Sequence, residues 1–291
     1  MQKRAYTICG FAVGASAFGF FFRWLQNQVA FEKDTGMLIS GTWGIILLCF
    51  VAMVAGLIAV RVYNFKVAEM IVPETVNTAF VGKTKYFSIA AWAIGGLMAL
   101  GGVITLLNLR GGLHTGLYTI TALFAILTGV SFPIICNASK SNYSPGLVSV
   151  LMTFPIAMYV FWLIGSYMEH ATDPTIWSFA IEILAIAACL VAFYYMAGYP
   201  YGRPRAFRCT FMGLFAPFLC LTSLSDERMF GHTVCFIATA AMLLMETWLI
   251  VENMQDAKPK YKRIYQDGVS KVVPADEVPE DAIEVPETDA K

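Results

Sequence analysis

The chain has 291 residues and a formal net charge of zero, from 20 Lys and Arg against 20 Asp and Glu. Hydrophobic residues make up 58% of it and charged residues 14%, whereas a soluble domain carries about 45–50% and about 25%. This balance excludes a disordered chain, argues against a soluble enzyme and points to a membrane protein.

Eight apolar runs follow one another, each long enough to cross a hydrocarbon core of about 30 Å as a helix. The first covers residues 5–25. Its apolar stretch, Tyr6 to Phe22, exceeds a signal-peptide core, and Phe22-Arg23-Trp24 follows instead of a small-residue cleavage site. It reads as a retained helix. The second run covers 37–60, and a polar connection with Lys66, Glu69, Pro73, Glu74, Lys83 and Lys85 comes after it. The remaining runs are 86–108, 114–136, 145–168, 175–198, 207–225 and 231–252. The expected fold is all-α, with about eight spans and no membrane β-barrel alternation.

Lys and Arg gather on one side. With the N-terminus inside, the inner side holds Lys3, Arg4, Arg61, Lys66, Lys83, Lys85, Lys140, Arg203, Arg205, Arg208, Lys258, Lys260, Lys262 and Arg263. The outer side holds Arg23, Lys33, Arg110 and Arg228. The positive-inside rule then places both termini in the cytoplasm. Small loops suit a bacterial cytoplasmic membrane. The tail, 253–291, is basic and then acidic and poor in apolar side chains, so disorder is expected there.

Sliding the chain on itself uncovers a repeat. Residues 110–122 match 228–240 as R-x-x-x-H-T-x-x-[YF]-x-x-T-A. Gly82-Lys83-Thr84-Lys85 matches Gly202-Arg203-Pro204-Arg205, Trp43 lies over Trp177, and Trp24-Leu25 lies over Trp162-Leu163. The expectation is two parallel four-helix units, 1–140 and 141–252, related by a pseudo-twofold axis along the membrane normal.

The repeat marks polar positions. His114, Thr121 and Thr128 recur every seven residues, as do His232, Thr239 and Glu246, so each set shares a helix face. Glu182 and Glu246 lie inside apolar runs, where an ionisable group faces the bundle interior or a cavity. His232 or Arg228 is the expected partner of Glu182, and Arg208 or Arg205 that of Glu246. Arg110 and Arg228 open the two outer motifs; acids such as Glu169, Asp173, Asp226 or Glu227 are the plain partners for them. Pro133, Pro155 and Pro217 lie within runs and are places for kinks. The seven cysteines carry no metal-binding spacing and read as small buried hydrophobes.

The candidate site residues for a ligand or ion pathway are therefore Glu182, Glu246, His114, His232, Arg110, Arg228, Thr121 and Thr239. No nucleophile–base constellation, phosphate loop or metal motif is present, so no catalytic residue, metal or cofactor is expected. The leading functional expectation is a permease-like protein that binds a small solute or ion. The alternative is a non-catalytic scaffold or sensor subunit whose tail recruits a cytoplasmic protein. The bilayer is the expected surrounding, and no nucleic-acid partner is expected.

Overall fold

A computed structural model describes residues 2–32, 37–39, 41–82, 85–109, 115–138, 144–172, 175–255, 261–266, 269–274 and 283–284. Among these, eight helices are long and apolar enough to cross a membrane. In chain order the spans are Lys3–Val29, Thr42–Val67, Tyr86–Asn108, Thr115–Cys136, Gly146–Glu169, Ala180–Ala197, Ala206–Ser225 and Phe230–Asn253.

Two span starts differ from the sequence expectation, each for a visible reason. The second span begins at Thr42 rather than 37. Phe31 pairs with Leu38, and the Ile39 amide donates to the Ala30 carbonyl at 2.8 Å, so residues 37–39 pair with the chain just past the end of the first span instead of entering the second helix. The sixth begins at Ala180 rather than 175, behind a short 3-10 turn at Ile176–Ser178. The Arg23 guanidinium takes the Trp177 and Ser178 carbonyls, at 2.9 and 2.5 Å. Trp177 therefore precedes the sixth span, whereas its sequence match, Trp43, lies within the second.

Six spans close on themselves. The third packs on the fourth and eighth, the fourth on the fifth, the fifth on the sixth, the sixth on the seventh, and the seventh on the eighth. The first and second stand outside this ring, both against the seventh. The eighth is the most enclosed, with 78% of its apolar window buried against 28% for the second. Exchanging the halves would convert the third–eighth pairing into a seventh–fourth one, and the first–seventh pairing into a fifth–third one. Neither is a main helix contact. Other pairs do match under the exchange, the third–fourth with the seventh–eighth and the first–second with the fifth–sixth, so the packing follows the four-plus-four arrangement only in part.

Small residues set the closest approaches, as is usual where lipid supplies no hydrophobic drive between helices. Pro133 cannot donate to the Gly129 carbonyl, which is left facing Gly95. A Cβ on either glycine would strike the other's carbonyl. Gly231 similarly lies against the backbone of Gly101 and Thr105. The fifth span is two helical pieces, Pro145–Leu151 and Thr153–Glu169, broken at Met152 just before Pro155. Pro217 is accommodated inside a continuous helix. Six of the cysteines are buried and Cys49 is exposed; all are free thiols.

The connection after the second span is held beneath the eighth. Ile71 and Gln255 exchange backbone hydrogen bonds at 2.9 and 3.0 Å. The Asn253 amide donates to the Ala79 and Val81 carbonyls. In the tail, where composition leads to an expectation of disorder, Tyr261–Gln266 pairs antiparallel with Val269–Pro274 and, on its other edge, with Ile283–Glu284. The two residues between the first pair in sequence are Asp267-Gly268, a strong hairpin signal that tail composition obscures.

The glycine packing gives a controlled prediction. Gly129→Ala should destabilise the purified protein by about 1–3 kcal/mol, the range for overpacking. Gly96→Ala, which meets nothing within 4 Å, should leave it unchanged. Thermal unfolding of both variants in detergent checks the contrast, and equal midpoints would refute the close third–fourth contact.

Candidate functional site

Four charged side chains meet at one end of the bundle. Arg23 of the first span pairs with Asp226 at 2.6 Å. Asp226 also lies 3.5 Å from Arg228, which reaches Glu182 of the sixth span at 3.6 Å. Two cations and two anions cancel formally. All are buried: Arg23 is 1% exposed, and the Arg228 and Asp226 side chains are 3% and 7% exposed.

Neutral groups complete this cluster. Arg23 also donates to the Gln26 side chain at 2.8 Å. Asn27 donates to Asp226 at 3.1 Å and to the Ser225 carbonyl at 3.2 Å. Arg228 donates to the Ser223 carbonyl and lies over the Phe236 ring, 4.6 Å from its centroid. The cluster ties the first span, the start of the sixth and the connection between the seventh and eighth. Buried guanidinium groups are tolerated here because carboxylates and carbonyls answer most of their fixed donors.

A second polar group lies beside it, inside the ring. His232 has ring centroids 5.1 Å from Tyr118 and 4.8 Å from Trp162. The Tyr118 hydroxyl donates to Glu169. Trp162 also packs at 4.6 Å on Phe236, whose ring carries Arg228. His232 Nε2, Trp162 Nε1 and Ser166 Oγ are buried with no hydrogen-bond partner among the described residues. Ser166 stands one turn along the fifth span from Trp162, on the same face.

The eighth span carries this polarity onward. Seven residues past His232, Thr239 shares a 2.6 Å hydrogen bond with the Tyr159 hydroxyl. Seven further, Glu246 is 1% exposed, and its Oε2 has no hydrogen-bond partner among the described residues. Cys136 and Cys209, from the fourth and seventh spans, lie within its electrostatic reach. The adjacent Thr247 Oγ1 and, on the fourth span, Thr128 Oγ1 are also buried and unanswered. His232 to Glu246 covers fourteen residues, roughly 21 Å of helix.

The sequence candidates divide accordingly. Glu182 and Arg228 come together, with His232 close by. Thr239 and Glu246 continue the same face of the eighth span. Thr121 is buried, but its hydroxyl returns to the Leu117 carbonyl of its own helix at 2.9 Å. Arg110 and His114 lie outside the described residues. Glu246 has no ion pair with Arg205 or Arg208: both arginines are exposed, while the carboxylate is enclosed.

Sequence reading missed the part played by four residues. Arg23 entered only as an outer-side charge. Tyr159 and Ser166 were not marked, although Tyr159, Trp162, Ser166 and Glu169 share one face of the fifth span at helical spacing. Tyr118 registered only as the match to Phe236. Its hydroxyl gives the two matched sequence positions different chemistry.

No family model matches the chain, and neither a curated protein nor a solved structure matches it.

The charge cluster predicts an asymmetry between variants. Asp226→Asn removes the one carboxylate paired with Arg23, leaving that guanidinium only neutral acceptors, and should cost about 3–5 kcal/mol, as breaking a buried pair does. Thr121→Val loses only a hydroxyl bonded within its own helix and should cost under about 1 kcal/mol. Unfolding midpoints in detergent measure both, and a mild Asp226→Asn would contradict the cluster.

Proposed function

We propose that this multi-pass membrane protein binds a small polar solute or ion along the buried face of its eighth span. The observation that carries this reading is the set of unanswered polar atoms: His232 Nε2, Trp162 Nε1 and Ser166 Oγ at one end, Glu246 Oε2 and Thr247 Oγ1 at the other. Buried polar groups are nearly always hydrogen-bonded, and isolated exceptions call for an explanation. Here they recur on one stripe and from facing helices. Their donors and acceptors suit a hydrated ion or a small solute of mixed polarity. The charge cluster pairs its charges, although Gln26 Nε2, Ser225 Oγ and Arg228 Nε within it are unanswered among the described residues, and takes the part of a structural clamp beside the site.

In this reading both termini are cytoplasmic, so the His232 end opens outward and the Glu246 end inward, following the Lys and Arg distribution. The duplication stands on the sequence matches alone. Permease-like movement of the solute is the extension of binding that an intramembrane carboxylate at the inner end supports.

A second reading, a scaffold with a docking tail, has one observation in its favour. The Ile71–Gln255 pairing and the Asn253 contacts fix the base of the tail against the preceding connection. A recruited partner would then sit at a defined position.

Glu246 separates the two. Reconstituted vesicles containing a pH-sensitive dye should show protein-dependent proton uptake under an imposed gradient. Glu246→Gln should abolish that uptake while expressing and unfolding like the parent, and Thr128→Val should reduce it only partly. Uptake equal to that of empty vesicles in all three proteins would favour the scaffold.

A further inference from the structure

The end opposite the charge cluster carries four cations, Lys66, Arg203, Arg205 and Arg208, with no ion pair among the described residues. We propose that a crevice there, between the second, sixth and seventh spans, holds one anionic phospholipid. Its phosphate would sit at a basic rim and an acyl chain along an apolar wall.

The crevice has a volume of about 280 Å³. Lys66, in the last turn of the second span, and Arg208, in the first turn of the seventh, line it together. The wall below them includes Ala59, Val62, Phe211 and Met212. Ala59 lies seven residues back from Lys66, so the apolar wall runs roughly 10 Å along the helix from the charged rim.

Tyr195 borders this crevice and also a second one of about 600 Å³, which Arg203, Arg205 and Tyr201 line. Four cations thus surround one aromatic partition. Lys66, Arg203, Arg205 and Arg208 are all exposed. None has a side-chain hydrogen bond or ion pair among the described residues. Contrast Arg23 and Arg228, which are buried and answered by carboxylates.

Three features select a lipid over a free anion. The crevice lies at a membrane-facing junction of three spans. Tyr63, Tyr194 and Tyr201 are exposed at the same level, as aromatic side chains are at the head-group region. The apolar wall has a role only if the ligand carries a chain. Basic pockets between spans on the cytoplasmic side have the charge and depth that acidic head groups need. The zwitterionic choline head group supplies no net charge to Lys66 and Arg208 at the rim, with Arg203 and Arg205 beyond Tyr195, so an acidic lipid is the occupant.

Native mass spectrometry of the full chain tests this, with phosphatidylglycerol and phosphatidylcholine of identical acyl chains supplied together. The expected result is preferential retention of phosphatidylglycerol. Lys66→Ala/Arg208→Ala should lower that preference about twenty-five-fold, at about fivefold per surface cation. Arg208→Gln alone should lower it about fivefold. Arg61→Ala, on the second span but not in the crevice wall, should leave it unchanged.

Equal retention of the two lipids by the parent protein overturns the proposal, whatever the variants do. So does an unchanged preference in Arg208→Gln. Displacement of phosphatidylglycerol by excess inorganic phosphate would show an anion site without a chain-binding wall, and would also overturn it. Should the double variant fail to fold, the parent's preference and the single variant still decide.

Discussion

Hydrocarbon offers no hydrogen-bond partner, so each polar side chain in a spanning helix must be answered within the protein or by something the protein encloses. This bundle meets the requirement in two ways. Near Arg228, charges are brought into balance: Arg23, Asp226, Arg228 and Glu182 neutralise one another, with carbonyls and amides filling most remaining bonds. Along the eighth span, the polar groups are enclosed but only partly answered. The first arrangement holds helices. The second leaves bonding capacity free along a helix, whereas in the first the unanswered atoms, Gln26 Nε2, Ser225 Oγ and Arg228 Nε, stand beside paired charges.

The position of the eighth span follows from small residues. Gly101 and Gly231 let the third and eighth spans approach to backbone contact. Gly213 admits Thr247 against the seventh. With neighbours this near on both sides, the remaining face of the eighth span turns toward the fifth. There Tyr159 and Trp162 meet Thr239 and His232. The same enclosure that buries the helix places its polar stripe where lipid cannot reach it. The outer first span is joined to this arrangement through Arg23, whose contacts also delay the start of the sixth span.

Much of the topology was legible in the sequence because membrane thickness sets a length that composition directly reports. All eight runs correspond to helices, and the differences lie at ends where local chemistry overrides hydropathy. Arg23 holding the carbonyls of Trp177 and Ser178 is such a case. The seven-residue stripe of His232, Thr239 and Glu246 was legible too, since helix periodicity alone puts them on one face. The pairing pattern was not legible. Sequence similarity between Trp24 and Trp162 says nothing of their surroundings: Trp24 is 46% exposed and Trp162 fully buried. Contacts such as Tyr118 with Glu169, or Arg23 with Asp226, join residues far apart in the chain, and no local pattern encodes them. Arg208 shows the reverse case. It stood out in the sequence as a partner for Glu246, but it is exposed while that carboxylate is enclosed.

The account rests on the polar face of the eighth span being a place of binding rather than a packing seam. An experimental density map of the protein in a lipid nanodisc, at a resolution where ordered water and ions are visible, tests that most directly. The account predicts non-protein density within hydrogen-bonding distance of His232 Nε2, Trp162 Nε1 or Ser166 Oγ, and again beside Glu246 Oε2. Side chains rotated to bond one another across a dry, fully packed interior would contradict it.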